Sequence, residues 1–470
     1  MRPELLMLMK KFLFKLVFIA LAFNAFADYN SHDIPDSAEI RRTIVESWLT
    51  PDLETLRKYK EQFKDNRIGT TFQIRMEEDD NEFCVIVAPR SEIDINMING
   101  DSVKTVRAAV YPKGAAGSWI LYRSKNKGLP LRVQYFFNQD SDVYVQFRAE
   151  ENKTFADLIV CGSYAARSVL VGIPFSRLYT ASFQDVKNWT KNSLPWNKVT
   201  VVKNQYADTL IMAGTIKNNL DSFVFMNDAC YDERGKLKSI FTGKEIPVLD
   251  ENGNAVSAEV LKKKHFLSGA GFLKWIVDGI VEPYRGYGTS IEELTVPTLE
   301  FNSVGKNGVM SQDWNLTFSL DWCRNLAAQA YSIRSSRTGD YKTFGLDVNY
   351  EYFSSDIVKG KTKSSAGYVK NTGYSIDHIK ALLYVLAATE PDWFYLGAIR
   401  QGSKIKADEL VFNNCVAFFP YFDRNGKFGC FIFEQGTEIA MDKFIEKYKG
   451  AYVHLERVKS TEAYFPYEKK

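Results

Sequence analysis

The stretch from Gly373 to Glu434 constrains the fold more than any other part of this 470-residue chain. After Ser375, a residue type favoured at a helix N-cap, apolar residues recur at helical spacing: Ile379, Leu382, Leu383 and Leu386. Two strand-like runs follow, and a turn of sequence Asp-Arg-Asn-Gly leads into a third. One helix ahead of several adjoining strands predicts an α+β arrangement in which the helix packs on an antiparallel sheet.

The turn at Asp423–Gly426 also predicts which residues of the last two strands face each other. If these four residues form the loop, Phe422 pairs with Lys427. The same register places Cys415 opposite Glu434 on one face of the sheet. We therefore expect these two side chains to lie close together, near the start of the helix.

This order of helix, strands and hairpin resembles the transglutaminase-like branch of the papain-type fold, over about the last third of the chain. The resemblance implies a cysteine at the start of the helix, a histidine on a later strand and an aspartate after the hairpin. Ser375, Cys415 and Glu434 stand at those three places. A serine without a base is a poor nucleophile, and a cysteine cannot replace imidazole as a proton acceptor at neutral pH. The resemblance therefore implies a degenerate triad lining a vestigial groove.

A rival constellation is centred on Cys323, near the start of another predicted helix, where the helix dipole lowers the pKa of a thiol. Together with His378 or His454, and an acid such as Asp377 or Glu456, it would form a Cys–His site. The apolar neighbours of Cys323 favour the alternative, which is ordinary packing of a helix against the core.

Residues 1–27 have the features of a secretory signal peptide. Lysines flank a short apolar run at 16–23, and Ala25-Phe26-Ala27 is a small-x-small cleavage pattern. The run is shorter than the roughly 20 residues that span a bilayer, and no later segment approaches that length. We therefore expect a secreted or periplasmic protein, cleaved after Ala27, with no transmembrane segment.

The charge of the chain narrows the choice of partners. Residues 1–27 carry four of the 60 basic and one of the 57 acidic residues, so the remainder is balanced in charge. A balanced charge gives no general attraction to nucleic acid or to anionic membranes. A partner must therefore be recognised locally, and a protein or a peptidoglycan peptide suits an exported chain.

The cysteine and histidine content predicts no metal site and no cofactor. The six cysteines are widely spaced, and most lie in apolar runs typical of buried free thiols. No CxxC pair or histidine-rich cluster is present. Three Asp-x-x-Gly turns lack the ligand run of a calcium loop and are typical of type I turns ending in glycine; they begin at Asp232, Asp250 and Asp423.

Residues 28–188 predict a β-rich, sandwich-like antiparallel domain. A helix is expected over 37–62, and beyond Thr70 the hydrophobic period changes from that of a helix to that of a strand. Six short runs separated by turn residues are predicted to form strands: Phe72–Arg75, Phe83–Val87, Val106–Tyr111, Trp119–Arg123, Leu131–Phe137 and Val143–Phe147. Domains of this kind commonly serve binding or packing.

Residues 189–300 predict a mixed α/β middle segment. Strands are expected near 199–202 and 223–225, and the apolar spacing over 272–281 predicts a helix with one packing face. Residues 301–470 complete the chain as the transglutaminase-like domain.

Three functional hypotheses follow from these patterns. The first is an exported envelope protein whose inactive transglutaminase-like domain serves binding or scaffolding. The second is a periplasmic cysteine hydrolase or peptidase that acts on cell-wall or other peptides through Cys323. The third is a structural assembly factor that acts through the β-rich domain.

Export makes the first testable prediction. The mature protein should begin at Asp28 and occur in an extracytoplasmic fraction, because the basic flank, apolar run and cleavage pattern all precede that residue. N-terminal mass spectrometry of the purified native protein checks this. An intact N-terminus at Met1 or Met9 would contradict it.

Overall fold

The computed structural model describes residues 34–99, 102–250, 252–299, 316–354, 356–358, 361–363, 367–402 and 410–468. The predicted signal peptide lies outside these residues. Helix makes up 30% and strand 33% of the structure, with a large antiparallel sheet in the N-terminal part and mixed elements after it. These proportions confirm the predicted α+β class.

The strands are short and lie in every part of the described chain. In order they are β1 (Gln62–Asp65), β2 (Thr71–Glu78), β3 (Glu82–Pro89), β4 (Ser91–Asn99), β5 (Ser102–Val110), β6 (Trp119–Ser124), β7 (Pro130–Phe136), β8 (Val143–Glu150), β9 (Lys153–Val160), β10 (Ser163–Val171), β11 (Phe223–Phe225), β12 (Ala229–Tyr231), β13 (Leu237–Ser239), β14 (His265–Leu267), β15 (Asp356–Val358), β16 (Lys361–Lys363), β17 (Tyr374–Ser375), β18 (Trp393–Gly402), β19 (Leu410–Phe422), β20 (Phe428–Glu434), β21 (Thr437–Glu438) and β22 (Tyr452–Lys459).

The helices alternate with these strands mainly in the C-terminal half. In order they are α1 (Ala38–Thr43), α2 (Leu53–Leu56), α3 (Phe183–Thr190), α4 (Ala207–Asn219), α5 (Ala258–Lys263), α6 (Gly269–Arg285), α7 (Ile291–Leu294), α8 (Phe318–Ser335), α9 (Tyr341–Phe344), α10 (Ile379–Thr389) and α11 (Met441–Lys447). Among the residues placed by the structure, no helix combines the length and apolar character needed to cross a membrane.

Eight strands form one antiparallel N-terminal sheet in the order β1-β2-β3-β6-β7-β8-β9-β10. The six strands predicted from alternation are all present, as β2, β3 and β5 to β8. One face of the sheet buries alternate apolar residues against helices, including α1, α3 and α10. The helices supply the second layer that this face needs, so a single covered sheet replaces the predicted sandwich of two sheets.

Strands β4 and β5 form a separate two-stranded ribbon beside this sheet. Each strand has nine residues, which corresponds to a length of about 30 Å. Ile95 lies directly opposite Val106, and both side chains are exposed, as is Ile93. An isolated two-stranded ribbon is marginally stable in water, so this apolar face is a candidate contact surface.

The C-terminal sheet has the strand order β17-β22-β18-β19-β20-β21 and is buried on both faces. The central core lies between one face and the N-terminal sheet, and includes Tyr384 of α10 and Phe418 of β19. The lateral core lies on the other face, and includes Trp275 of α6 and Trp322 of α8. The central core crosses both boundaries that the sequence predicted, at residues 188 and 300, and the lateral core crosses the one at 300.

Two predicted elements differ from the structure. The helix expected over 37–62 is divided into α1, a π-helical turn at Val45–Leu49 and α2, because Pro51 interrupts it and Asp52 begins a new helix. The Asp52 side chain accepts the hydrogen bond of an N-cap from the Thr55 amide at 2.8 Å. Residues 199–202 follow a 3-10 turn at Trp196–Lys198 and form no strand.

Gly373 provides a test of how the C-terminal sheet is assembled. Its φ is +95°, and a Cβ atom there would lie 1.9 Å from the carbonyl oxygen of Val453 in β22. Gly450 also has positive φ, +77°, but open space around it. We expect Gly450→Ala to lose about 1–2 kcal/mol for backbone strain. Gly373→Ala should lose about 1–3 kcal/mol more, because β22 must move.

Denaturant unfolding of both variants measures this difference. An equal loss of unfolding free energy in Gly373→Ala and Gly450→Ala would show that β17 does not pack against β22 as described.

Candidate functional site

A cluster of buried charged residues lies on the face of the C-terminal sheet that contacts the lateral core. Alternation along β22 places His454 and Glu456 on this face, toward α8, while Leu455 between them points into the central core. Arg324 approaches from α8. Asp347 follows α9 and is held beside Glu456 by backbone pairing with β22.

His454 is bonded at both ring nitrogens. Its Nδ1 lies 2.7 Å from Glu456 Oε1, and its Nε2 lies 3.0 Å from the Tyr368 hydroxyl and 3.4 Å from Arg324 Nη2. A carboxylate accepts from an N–H, so the bond to Glu456 favours the neutral tautomer protonated at Nδ1. The Nε2 lone pair, which a general base would use, then accepts from Tyr368 and Arg324.

Arg324 is the only permanent cation among these described groups. Its guanidinium donates to both oxygens of Asp347, from Nη2 at 2.7 Å and from Nε at 3.2 Å, and Nε lies 3.7 Å from Glu456 Oε1. The guanidinium carbon also lies 4.2 Å from the centroid of the Tyr341 ring. A buried arginine with a bidentate carboxylate is a strong, geometrically specific pair.

Burial governs the protonation of the cluster. It lowers the pKa of His454 to about 3, so the imidazole is neutral at physiological pH. It raises the pKa of Glu456 to about 7 despite the opposing charge of Arg324. Burial, reinforced by the charge of Glu456, also raises the pKa of Asp347 to about 7. The two carboxyls therefore titrate as a coupled pair near neutral pH.

One proton shared by the two carboxyls would complete the hydrogen bonding of the cluster. Glu456 Oε2 is buried and receives no hydrogen bond from a described donor. A ligand atom of Asp347 nevertheless lies within 4.8 Å of one of Glu456, and the charge of Glu456 helps to raise the pKa of Asp347. A proton between them leaves one net negative charge, which balances Arg324.

Asp347, His454 and Glu456 also have the composition of a metal site. One ligand atom from each lies within 4.8 Å of the others. However, Arg324 donates to Asp347 and contacts His454, so a divalent ion would enter beside a fixed positive charge. These three residues fit the arginine better than a metal ion. We therefore assign no metal to the cluster, and the absence of a metal site stays a prediction.

The residues of the predicted triad do not converge. Ser375 caps the 3-10 turn before α10 through the Asp377 amide, as expected for an N-cap. Two strands, β22 and β18, separate its strand from that of Cys415, which corresponds to about 14 Å at the usual strand spacing. Glu434 lies one strand further away. The predicted groove formed by these three residues was therefore wrong.

The hairpin register explains part of this error. The turn at Asp423–Gly426 closes an antiparallel hairpin as predicted, but Phe422 pairs with Phe428 rather than with Lys427. Asp423 pairs with Lys427, and Gly426 has a φ of +83°, which is typical of a three-residue loop with a glycine bulge. A shift of one residue moves every following side chain to the other face.

Glu434 consequently points away from Cys415. It faces the central core, where Tyr448 and Lys447 donate hydrogen bonds to its carboxylate, whereas Cys415 belongs to the lateral core. Its bonds to residues of α11 and the following turn indicate a structural role.

The rival constellation is brought together only in part. Cys323 and Cys415 are neighbours in the lateral core, and burial raises the pKa of Cys323 well above its usual range. Cys323 is the sixth residue of α8, beyond the first turn in which the helix dipole acts. His378 precedes α10 on the opposite face of the sheet, and its Nδ1 contacts Ser163 Oγ at 3.0 Å. The pairing of Cys323 with His378 was therefore wrong.

His454 and Glu456, the other partners considered for Cys323, do share its face of the sheet. The sequence contains one signal for them, which is two polar residues at a spacing of two within an apolar strand. It gave none for Asp347 or Tyr368, which reach the cluster from distant irregular segments. The sequence analysis considered Cys323 but not Arg324, the residue that follows it.

Comparisons with known proteins bear on the N-terminal part alone. A family model described as a domain of unknown function, DUF8515, matches residues 30–198. This range includes the eight strands of the N-terminal sheet. Searches of curated proteins and of solved structures give no match. The resemblance to transglutaminase-like domains stays a prediction.

The coupled carboxyls predict an unusual dependence of stability on pH. A carboxyl with a folded-state pKa near 7 keeps its proton where the unfolded chain, with a value near 4.5, has lost it. Stability is then greater at low pH and is lost as pH rises through this window. Relative to Glu456→Gln, the wild-type unfolding free energy should fall by about 2 kcal/mol between pH 5 and 7.

The comparison with Glu456→Gln isolates this effect, because His454, which has the opposite sign, is present in both proteins. Exposed Glu446→Gln is the matched control and should differ from wild type by a constant amount. Urea unfolding from pH 5 to 8 measures both differences. If the unfolding free energy of the wild type instead rose relative to that of Glu456→Gln as pH rises, Glu456 would be ionised in the folded protein.

Proposed function

We propose that the protein is exported and non-catalytic, and that its C-terminal region serves binding or scaffolding. The observation that supports this best is the position of Arg324. Its guanidinium donates to the His454 nitrogen that a general base would use, and pairs with the acid beside it. A protein or a peptidoglycan peptide remains the partner class suited to this compartment.

The requirements of cysteine catalysis support the same conclusion. A nucleophilic thiol must be within hydrogen-bond reach of its base and must have a lowered pKa. Cys323 instead contacts another thiol, Cys415, and burial raises its pKa. The hydrogen bonds recorded for His454 in the described chain go to Glu456, Tyr368 and Arg324, and none goes to Cys323.

One observation favours the second candidate, a cysteine hydrolase acting on peptides. His454 and Glu456 form a 2.7 Å hydrogen bond that matches the base and orienting acid of a Cys–His site, on the same sheet face as Cys323. Activity would require Arg324 to leave its bidentate partner Asp347. Breaking a buried ion pair of this kind costs about 3–5 kcal/mol, which disfavours the arrangement.

The third hypothesis, assembly through the β-rich domain, stays a prediction. The exposed apolar face of the β4–β5 ribbon agrees with it, but no described contact indicates what covers that face.

Thiol reactivity separates the first two functions. With iodoacetamide at pH 7, Cys323 in the folded protein should react as slowly as Cys230, a matched control that is equally buried and whose pKa burial raises to about 12. Both should become reactive only on unfolding. Peptide mapping by mass spectrometry measures the two rates.

A fast reaction confined to Cys323 would contradict the non-catalytic proposal. If His454→Ala abolished that reaction while leaving Cys230 unchanged, the cysteine hydrolase would replace it.

A further inference from the structure

The C-terminal half of α8 and the ends of β18 and β22 surround a half-open cavity of about 390 Å³. This volume lies within the range of small-molecule sites, roughly 300–1,000 Å³. Along α8 the cavity extends from Ala327, less than one helical turn from Arg324, to Ser335, about three turns away. Its lining includes none of the cluster residues Arg324, Asp347, His454 and Glu456.

Small side chains create the space and aromatic side chains border it. Ala327 and Ala330, three residues apart on α8, leave the volume open. Tyr331 of α8, Trp393 of β18 and the largely exposed Tyr284 of α6 provide flat apolar surfaces around it. These surfaces suit a planar or ring-shaped body, which would contact the aromatic faces.

The charges at the cavity are positive. Arg457 is already neutralised, because Glu390 accepts two hydrogen bonds from it at 2.7 Å. Among the described residues, Arg334 and Lys459 donate hydrogen bonds only to carbonyl oxygens: Arg334 donates to the Lys459 carbonyl and Lys459 donates to that of Pro391. Lys459 also lies near Asp392 without forming an ion pair with it.

These two cations have donors left for a ligand. A guanidinium has five N–H groups and an ammonium has three, so one carbonyl each leaves most of them unused. The Lys459 ammonium lies 5.4 Å from the centroid of the Trp393 ring, directly across the β18–β22 pair. Ser335 Oγ, also in the lining, has no hydrogen-bond partner among the described residues.

We propose that this cavity binds a small carboxylate attached to a planar body, such as the acylated C-terminal residue of a peptide. The carboxylate would accept hydrogen bonds from Arg334 and Lys459, and the planar part would lie between Trp393 and the tyrosines. The same charges disfavour a cationic ligand, which the aromatic residues alone would accept. This proposal names a ligand class for the proposed binding function. It rests on that function in assuming that the ligand is bound and not chemically changed.

Hippurate, an N-acylated glycine with an aromatic ring and a free carboxylate, is the probe, and its methyl ester is the neutral control. Calorimetry with the full mature chain should show hippurate binding and at least tenfold weaker binding of the ester. Lys459→Met and Arg334→Met should each reduce hippurate affinity about tenfold. Arg337→Met, which changes an exposed arginine just beyond the same helix end, should alter the hippurate affinity less than twofold.

Lys459→Met guards against misfolding, because it removes only one carbonyl bond and the ammonium contact with the Trp393 ring. The unfolding midpoint of each variant is measured alongside. Equal affinity for hippurate and its ester, no binding of hippurate, or unchanged affinity in a folded Lys459→Met variant would each overturn the proposal. The two proposals can fail separately. If hippurate bound and was recovered unaltered while Cys323 was labelled rapidly, the binding site would be supported and the non-catalytic function would be contradicted.

Discussion

The structure depends on a C-terminal sheet that is apolar on both faces. One face is covered by the N-terminal sheet and α10, and the other by α6 and α8. Any polar side chain on the inner strands β18, β19 and β22 is therefore removed from water on whichever side it points. Such groups are costly unless other protein groups satisfy them. This constraint explains why the charged residues of β22 are found together with their partners.

Arg324 is the partner that makes the buried cluster tolerable. Without it, Asp347 and Glu456 would face each other in an apolar core beside a neutral imidazole. With it, Asp347 is held in a bidentate pair, and burial raises the pKa of Glu456 to about 7, which favours its neutral form. The same balance removes chemical freedom, because the groups that might act on a ligand already bind each other.

Local sequence signals predicted local structure well. The Ser375 cap, the apolar helix after it, the six N-terminal strands and the turn at Asp423 all depend on residues close together in the chain. The helix expected over 37–62 was the main local error, since the effect of Pro51 and the Asp52 cap was underestimated.

The candidate site was less predictable for two physical reasons. The sequence Asp-Arg-Asn-Gly fits both a three-residue and a four-residue loop. The difference of one residue in loop length decides which face of the sheet Glu434 occupies. The true cluster joins residues more than 100 positions apart, so no spacing pattern connects Arg324 with His454. His454 and Glu456 were recognisable from alternation, but Asp347 and Tyr368 depend on how irregular segments cross the sheet.

The distribution of hydrogen-bonding capacity separates two parts of the lateral side of the molecule. In the interior, the donors of Arg324 are taken up by both oxygens of Asp347 and by His454. Where β18 begins and β22 ends, Arg334 and Lys459 border a cavity with aromatic walls, and the hydrogen bonds that they donate to described residues go only to carbonyl oxygens. A ligand gains most from groups that are rigidly held yet still have donors available. Recognition is therefore better supported at this end of the β18–β22 pair than at the buried histidine, even though the histidine cluster has the composition usually associated with activity.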